Sequence, residues 1–221
     1  MEEDFHRIVF DEQLMKNVPP IIKPEEVKEN DEPAEMEEKI KKSRIEDYEI
    51  KETRSDGNCL YRSILNAAEM PEEAHKELRI EVADMVEKSQ LQPAVFSEQG
   101  CKNKDEYAGK VRGDKFFGGY IEMQILAREW NVWFAIYLSD ERYAQTRWNI
   151  IKGSEERKPR KILTLKLTQG QIVNRDIDGH YDSMKPKKGV LWGSGLHGTM
   201  EIIHIMSMKL YGGIVDQSKI W

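Results

Sequence analysis

Apolar residues along this chain fall into two rhythms, and the switch from one to the other predicts its architecture. After the turn-forming cluster Arg54-Ser55-Asp56-Gly57-Asn58, residues Leu60, Ile64, Leu65 and Ala68 recur three or four apart, the spacing of one helix face. Pro71 to Lys88 predicts a second helix. Pro71 suits its first turn, Glu72 and Glu73 its positive end, and Leu78, Val82, Met85 and Val86 form a buried stripe. Further helices are expected over Lys104–Val111 and over Tyr120–Trp130, where Ile121, Ile125 and Leu126 face inward. The pattern then changes. Val132–Leu138 is a run of β-branched, aromatic and aliphatic residues, Trp148–Ile151 resembles it, and Lys161–Leu167 alternates. Gly179–Met184 predicts a short last strand, and Tyr48-Glu49-Ile50 an early one. Helices first and strands later argue for an α+β domain with a small central β-sheet flanked by helices.

Composition divides the chain further. Pro19, Pro20, Pro24 and Pro33 punctuate a charge-rich stretch with few aromatics, which buries too little to offset its ordering entropy. Residues 1–45 are therefore expected to form a charged, flexible extension. A helix over 35–45, with Met36, Ile40 and Ile45 near one face, is expected to pack weakly on the main domain. Residues 46–188 hold the main domain. Residues 189–221, with an apolar run from Met200 to Leu210, form a C-terminal segment expected to pack on it. Of the 221 residues, 40 are acidic and 34 basic, giving a net charge of −6, so there is no broad cationic field for nucleic acid. The start, Met1-Glu2-Glu3-Asp4-Phe5, is acidic where a signal peptide is basic, and no apolar stretch is long enough to span a bilayer. Two cysteines, with no C-x-x-C pair, give neither a disulfide framework nor a zinc site. The expectation is an intracellular, cytoplasmic protein needing no metal or cofactor.

The chemistry gathers at Cys59. Gly57 permits backbone angles that other residues resist, and Asn58 tolerates left-handed ones. A tight loop ending at a helix start leaves backbone N–H groups free to hold a developing oxyanion, so Gly57 and Asn58 are candidate oxyanion-loop residues. A thiol there feels the positive end of the helix and is expected to have a lowered pKa. Most cysteines are simply small buried thiols, and Cys101 is taken as one. Of the five histidines, His6, His75, His180, His197 and His204, only His180 follows a glycine on a predicted strand with an aspartate two residues on. Residues two apart on a strand share a face, so Asp182 is placed to orient the His180 ring.

Asp56-Gly57-Asn58-Cys59-Leu60-Tyr61-Arg62-Ser63-Ile64, then Phe117-Gly118-Gly119 followed by Glu122 and Ala127, then Gly179-His180-Tyr181-Asp182, stand in the order found in the ovarian-tumour (OTU) family of cysteine deubiquitinases. The resemblance covers residues 48 to 184. It implies a papain-like α+β fold, hydrolysis of isopeptide bonds to the C-terminal glycine of ubiquitin or a ubiquitin-like modifier, and modified proteins as partners. It also implies Cys59 as nucleophile, His180 as general base and then acid, Asp182 as third member, and Asp56 as the loop aspartate that shapes the oxyanion site. In some relatives an upstream acidic group orients the histidine instead. Phe117, Gly118, Gly119 and Tyr181 are expected to line the substrate channel; Phe117 stands where many relatives carry Trp, which removes an indole N–H. Two other readings remain open from sequence: a precursor-processing cysteine protease, and an inactive relative that binds ubiquitin only.

Overall fold

The computed structural model describes residues 32–114, 116–140, 147–155, 157–173 and 176–187. Helix α1 (Pro33–Lys42) leads into β1 (Tyr48–Lys51), then α2 (Cys59–Ala67), α3 (His75–Lys88), α4 (Pro93–Glu98), α5 (Lys104–Arg112) and α6 (Tyr120–Trp130). Strands β2 (Val132–Leu138), β3 (Trp148–Lys152), β4 (Lys161–Val173) and β5 (Asp176–Pro186) follow. The sheet order is β1-β5-β4-β2-β3, with β2 and β4 parallel and the other neighbours antiparallel. This is an α+β arrangement. The main core lies between the sheet and α2, α3, α5 and α6, where Leu60, Leu78, Leu126, Phe134 and Leu163 are buried together.

Three elements differ from expectation. Helix α1 is not weakly attached: Met36 and Ile40 (0% exposed) pack with Tyr48, Trp133, Ala135, Trp148, Ile162 and Met184 in a second apolar cluster. The Trp148 indole N–H also donates to the Ser43 carbonyl at 3.0 Å. Helix α4 was not foreseen. Proline stands at its start and Phe96 is its one buried residue, too little periodicity to register. Strands β4 and β5 run beyond Leu167 and before Gly179, with Ile172 opposite Ile177 and Val173 opposite Asp176. The polar sequence Thr168–Gln171 breaks the alternation that predicts the strand, and the pairing shifts register between Gln169 and Ile172. The His6, His197 and His204 positions, the Met200–Leu210 run and most of the N-terminal extension lie outside the described residues. Among the described residues, no helix is long and apolar enough to cross a membrane.

Gly153, in the bend after β3, approaches the end of α6 so closely that a Cβ there would lie 2.1 Å from the Ala127 carbonyl oxygen. Both partners are backbone, so neither side can yield cheaply. Gly153→Ala is expected to lower stability by about 1–3 kcal/mol. Gly109→Ala within α5, where an added Cβ meets nothing within 4 Å, is expected to raise it by about 0.5–1 kcal/mol. Urea unfolding of the two variants checks both signs, and equal midpoints would refute the account.

Candidate active site

The loop before α2 is shaped from both ends. Gly57 takes φ 83°, a left-handed angle that favours glycine. The Asp56 carboxylate accepts from the Asn58 amide at 3.0 Å and from Arg62 Nη2 at 2.9 Å. Burial works against the charge on Asp56, but the Arg62 and Asn58 bonds outweigh it and hold the carboxyl below its ordinary range. Arg62 is steadied in turn by His75 Nε2 at 3.1 Å, while His75 Nδ1 lies 3.0 Å from the Glu72 carbonyl. That carbonyl can only accept, so Nδ1 carries the proton and Nε2 receives the Arg62 N–H.

Asn58 does not cap α2 with its side chain. Its Oδ1 instead accepts from Arg79 Nε at 3.1 Å and Nη2 at 2.8 Å. Arg79, 1% exposed, also donates to the carbonyls of Gly57, Val111, Gly113 and Phe116 at 2.8–2.9 Å, and its guanidinium lies 4.3 Å from the Tyr61 ring centroid. One buried cation thus binds the loop before Cys59 to the segment leading into Phe117-Gly118-Gly119. Sequence reasoning missed it, because Arg79 sits in a charged helical run that looks solvated.

Cys59 begins α2 and is 2% exposed. Burial, with a smaller push from Asp56, raises its thiol pKa; the N–H groups of Tyr181, Leu60 and Cys59 itself pull it back only in part. The lowered pKa expected at a helix start is therefore reversed in this conformation, because desolvation outweighs the amides.

His180 reaches the site from β5, 121 positions after Cys59 (180 − 59), with Thr168 opposite on β4. Its Nε2 lies 3.0 Å from Asp182 Oδ1, and the same oxygen accepts the Thr53 amide at 3.0 Å. The Tyr181 carbonyl accepts Ser63 Oγ from α2 at 2.7 Å and also the Thr53 hydroxyl. The helix that Cys59 begins and the strand that carries His180 are thereby stitched together. His180 Nδ1 is 3.0 Å from Ser55 Oγ. Among the described residues no hydrogen bond joins the Cys59 sulfur to the His180 ring. Ser55 carried no sequence signal beyond lying in the turn-forming cluster, and Thr53, just before it, carried none.

The expected channel residues separate. Phe117 is 51% exposed beside the site, with exposed Tyr120 three residues on. Gly118 packs so tightly that a Cβ would lie 2.6 Å from Leu60 Cδ2 and 3.2 Å from Tyr61, whereas Gly119 faces open space. The Gly119 amide donates to the buried Glu122 at 2.6 Å, which Tyr107 also holds through its hydroxyl. Burial raises the Glu122 pKa. Tyr181 does not line a channel: its ring is buried in the main core. The alternation that places His180 and Asp182 on one face of β5 turns Tyr181 to the other.

Residues 54–169 match the family model of OTU-like cysteine proteases. The match holds the Cys59 and Phe117-Gly118-Gly119 segments and stops eleven residues before His180 (180 − 169). A curated relative, the OVARIAN TUMOR DOMAIN-containing deubiquitinating enzyme 6 of Arabidopsis thaliana, is 27% identical over 150 residues, covering 68% of this chain. The chain spans only 28% of that relative's length. Among solved structures it resembles the OTUD1 OTU domain (21% identity, TM-score 0.49, 67% of this chain and 93% of that one). It also resembles the Hazara virus OTU bound to ubiquitin (20% identity, TM-score 0.48, 63% of this chain and 82% of that one).

Proposed function

The chain belongs to the OTU family of cysteine proteases, and from that premise we propose that it is a deubiquitinase, hydrolysing isopeptide bonds to the C-terminal glycine of ubiquitin or a ubiquitin-like modifier. The observation that carries this reading is the closure of β5 onto α2. The Tyr181 carbonyl accepts Ser63 Oγ from α2, the helix that Cys59 begins, at 2.7 Å, while the neighbouring His180 lies 3.0 Å from Asp182 Oδ1.

In this reading Cys59 loses its proton to His180 and the thiolate attacks the carbonyl carbon of the modifier's terminal glycine. The oxyanion is held by backbone N–H groups at the start of α2; the Asn58 amide is already given to Asp56 and serves to shape the loop. As the C–N bond breaks, the His180 imidazolium passes its proton to the leaving lysine amine. His180 then takes a proton from water, which attacks the thioester and releases the modifier's carboxylate and the thiol. Exposed Phe117 offers an apolar wall to a narrow glycine-ended tail, and Gly119 leaves room beside it. Two free, buried cysteines suit a reducing intracellular compartment, where modifier-bearing proteins are the substrates.

The test is labelling with ubiquitin and ubiquitin-like probes that carry an electrophile at the C-terminus. A stable adduct at Cys59 with at least one probe is expected, and none with Cys59→Ala. Cys101, 3% exposed, serves as the internal control. Labelling at Cys101, or no labelling by any modifier, would overturn the proposal in favour of precursor processing or of an inactive binding module.

A further inference from the structure

Both nitrogens of the His180 ring are taken in this structure, and neither by the nucleophile. Nε2 faces Asp182 at 3.0 Å and Nδ1 faces Ser55 Oγ at 3.0 Å. A carboxylate can only accept, so Nε2 carries a proton, and in the neutral ring the Nδ1 lone pair receives the Ser55 hydroxyl. That lone pair is the one the Cys59 proton must reach if Asp182 keeps its hold on the opposite nitrogen. Ser55 therefore competes with Cys59 for a single atom. We propose that Ser55 is a positioning residue that holds His180 off Cys59 in the free protein and must give up Nδ1 before the thiol can be activated. The proposal rests on the reading of Cys59 and His180 as nucleophile and base.

The surroundings agree with a restrained site. Cys59 is buried, and its thiol is pushed up by desolvation with no hydrogen bond to the His180 ring to offset the cost. The groups that bear on the sulfur are Asp56 from the loop, the Leu60 and Cys59 amides at the start of α2, and the Tyr181 amide and phenol from β5; His180 itself faces Asp182 and Ser55. Ser55 lies on the exposed stretch Arg54–Asp56, so releasing it costs one solvent-accessible hydrogen bond and disturbs no core packing. A restraint of that size suits displacement by a bound tail. It holds the resting state without locking it.

The experiment reads Cys59 directly, with no modifier present. The full chain is treated with iodoacetamide across pH 5–10, and carbamidomethylation of the Cys59 peptide is followed by mass spectrometry. Loss of one net hydrogen bond predicts that Ser55→Ala is alkylated about threefold to tenfold faster at neutral pH, with its profile moved to lower pH. Ser55→Thr, which keeps the hydroxyl, is expected to restore the wild-type profile. Ser55→Ala combined with His180→Ala is expected to lose the gain, because the effect passes through the ring. An unchanged rate in Ser55→Ala, or a slower one, overturns the proposal; slower alkylation would make Ser55 a support of the productive ring orientation. The readout is independent of substrate. If the profiles shift as stated while no ubiquitin probe labels the protein, the restraint stands and the deubiquitinase reading falls.

Discussion

Replacing His180 with alanine is expected to lower turnover by roughly a thousandfold or more while the protein stays folded. One positioned proton carrier that serves as base in acylation and as acid toward the leaving amine contributes on the order of 10²–10⁴ in rate, and its loss removes both roles. A thousandfold corresponds to about 4 kcal/mol of transition-state stabilisation. The fold has little stake in the ring. The His180 side chain is 27% exposed, and its two hydrogen bonds go to Asp182 and Ser55. Asp182 keeps the Thr53 amide without it, and β5 keeps its pairing with β4 and its Ser63 tie to α2. Urea midpoints of wild type and His180→Ala should therefore agree to within about 0.5 kcal/mol, while cleavage of a fluorogenic ubiquitin C-terminal amide nearly vanishes. Joint loss of folding and turnover would mark His180 as a structural residue.

Much of this arrangement was legible because it rests on short-range rules. The turn formers before Cys59 and the three-four spacing after it announced a helix starting at the sulfur, and α2 begins there. The two-residue period of a strand put His180 and Asp182 on one face. The same rule, applied one residue further, would have sent Tyr181 to the core. The rest depends on contacts between distant segments. Nothing around Met36 and Ile40 shows that Tyr48, Trp133, Trp148 and Met184 converge to receive them, so α1 looked weakly packed. Arg62 is the one charged residue of α2, and His75 and Arg79 stand on α3 among other charged residues that face solvent at least in part. Only the tertiary fold reveals that they are buried and aimed at the loop. The direction of the Cys59 pKa reversed for the same reason, since sequence shows the helix start but not the depth of burial above it.

Arg79 is where the second large effect is expected. Its guanidinium supplies five N–H donors in a fixed plane, and the structure gives them Asn58 Oδ1 and the carbonyls of Gly57, Val111, Gly113 and Phe116. Arg79→Met fills a similar volume but leaves these buried acceptors without donors, at about 1–3 kcal/mol for each one that water cannot reach. Some will relax toward solvent, so a net loss of about 3–5 kcal/mol is expected, a large share of an ordinary domain's stability. Arg79→Lys separates holding the fold from holding the site. A single ammonium has three donors on one atom and cannot span acceptors on both sides of the plane. It can keep part of the carbonyl cluster while releasing Asn58, which then no longer fixes the turn at Gly57. The lysine variant should remain folded by urea titration yet label with a C-terminal ubiquitin electrophile at least about tenfold more slowly, because the amides around Cys59 lose their alignment. Wild-type labelling in a stably folded Arg79→Lys would show that the loop holds its shape without the guanidinium and that Arg79 serves the core alone.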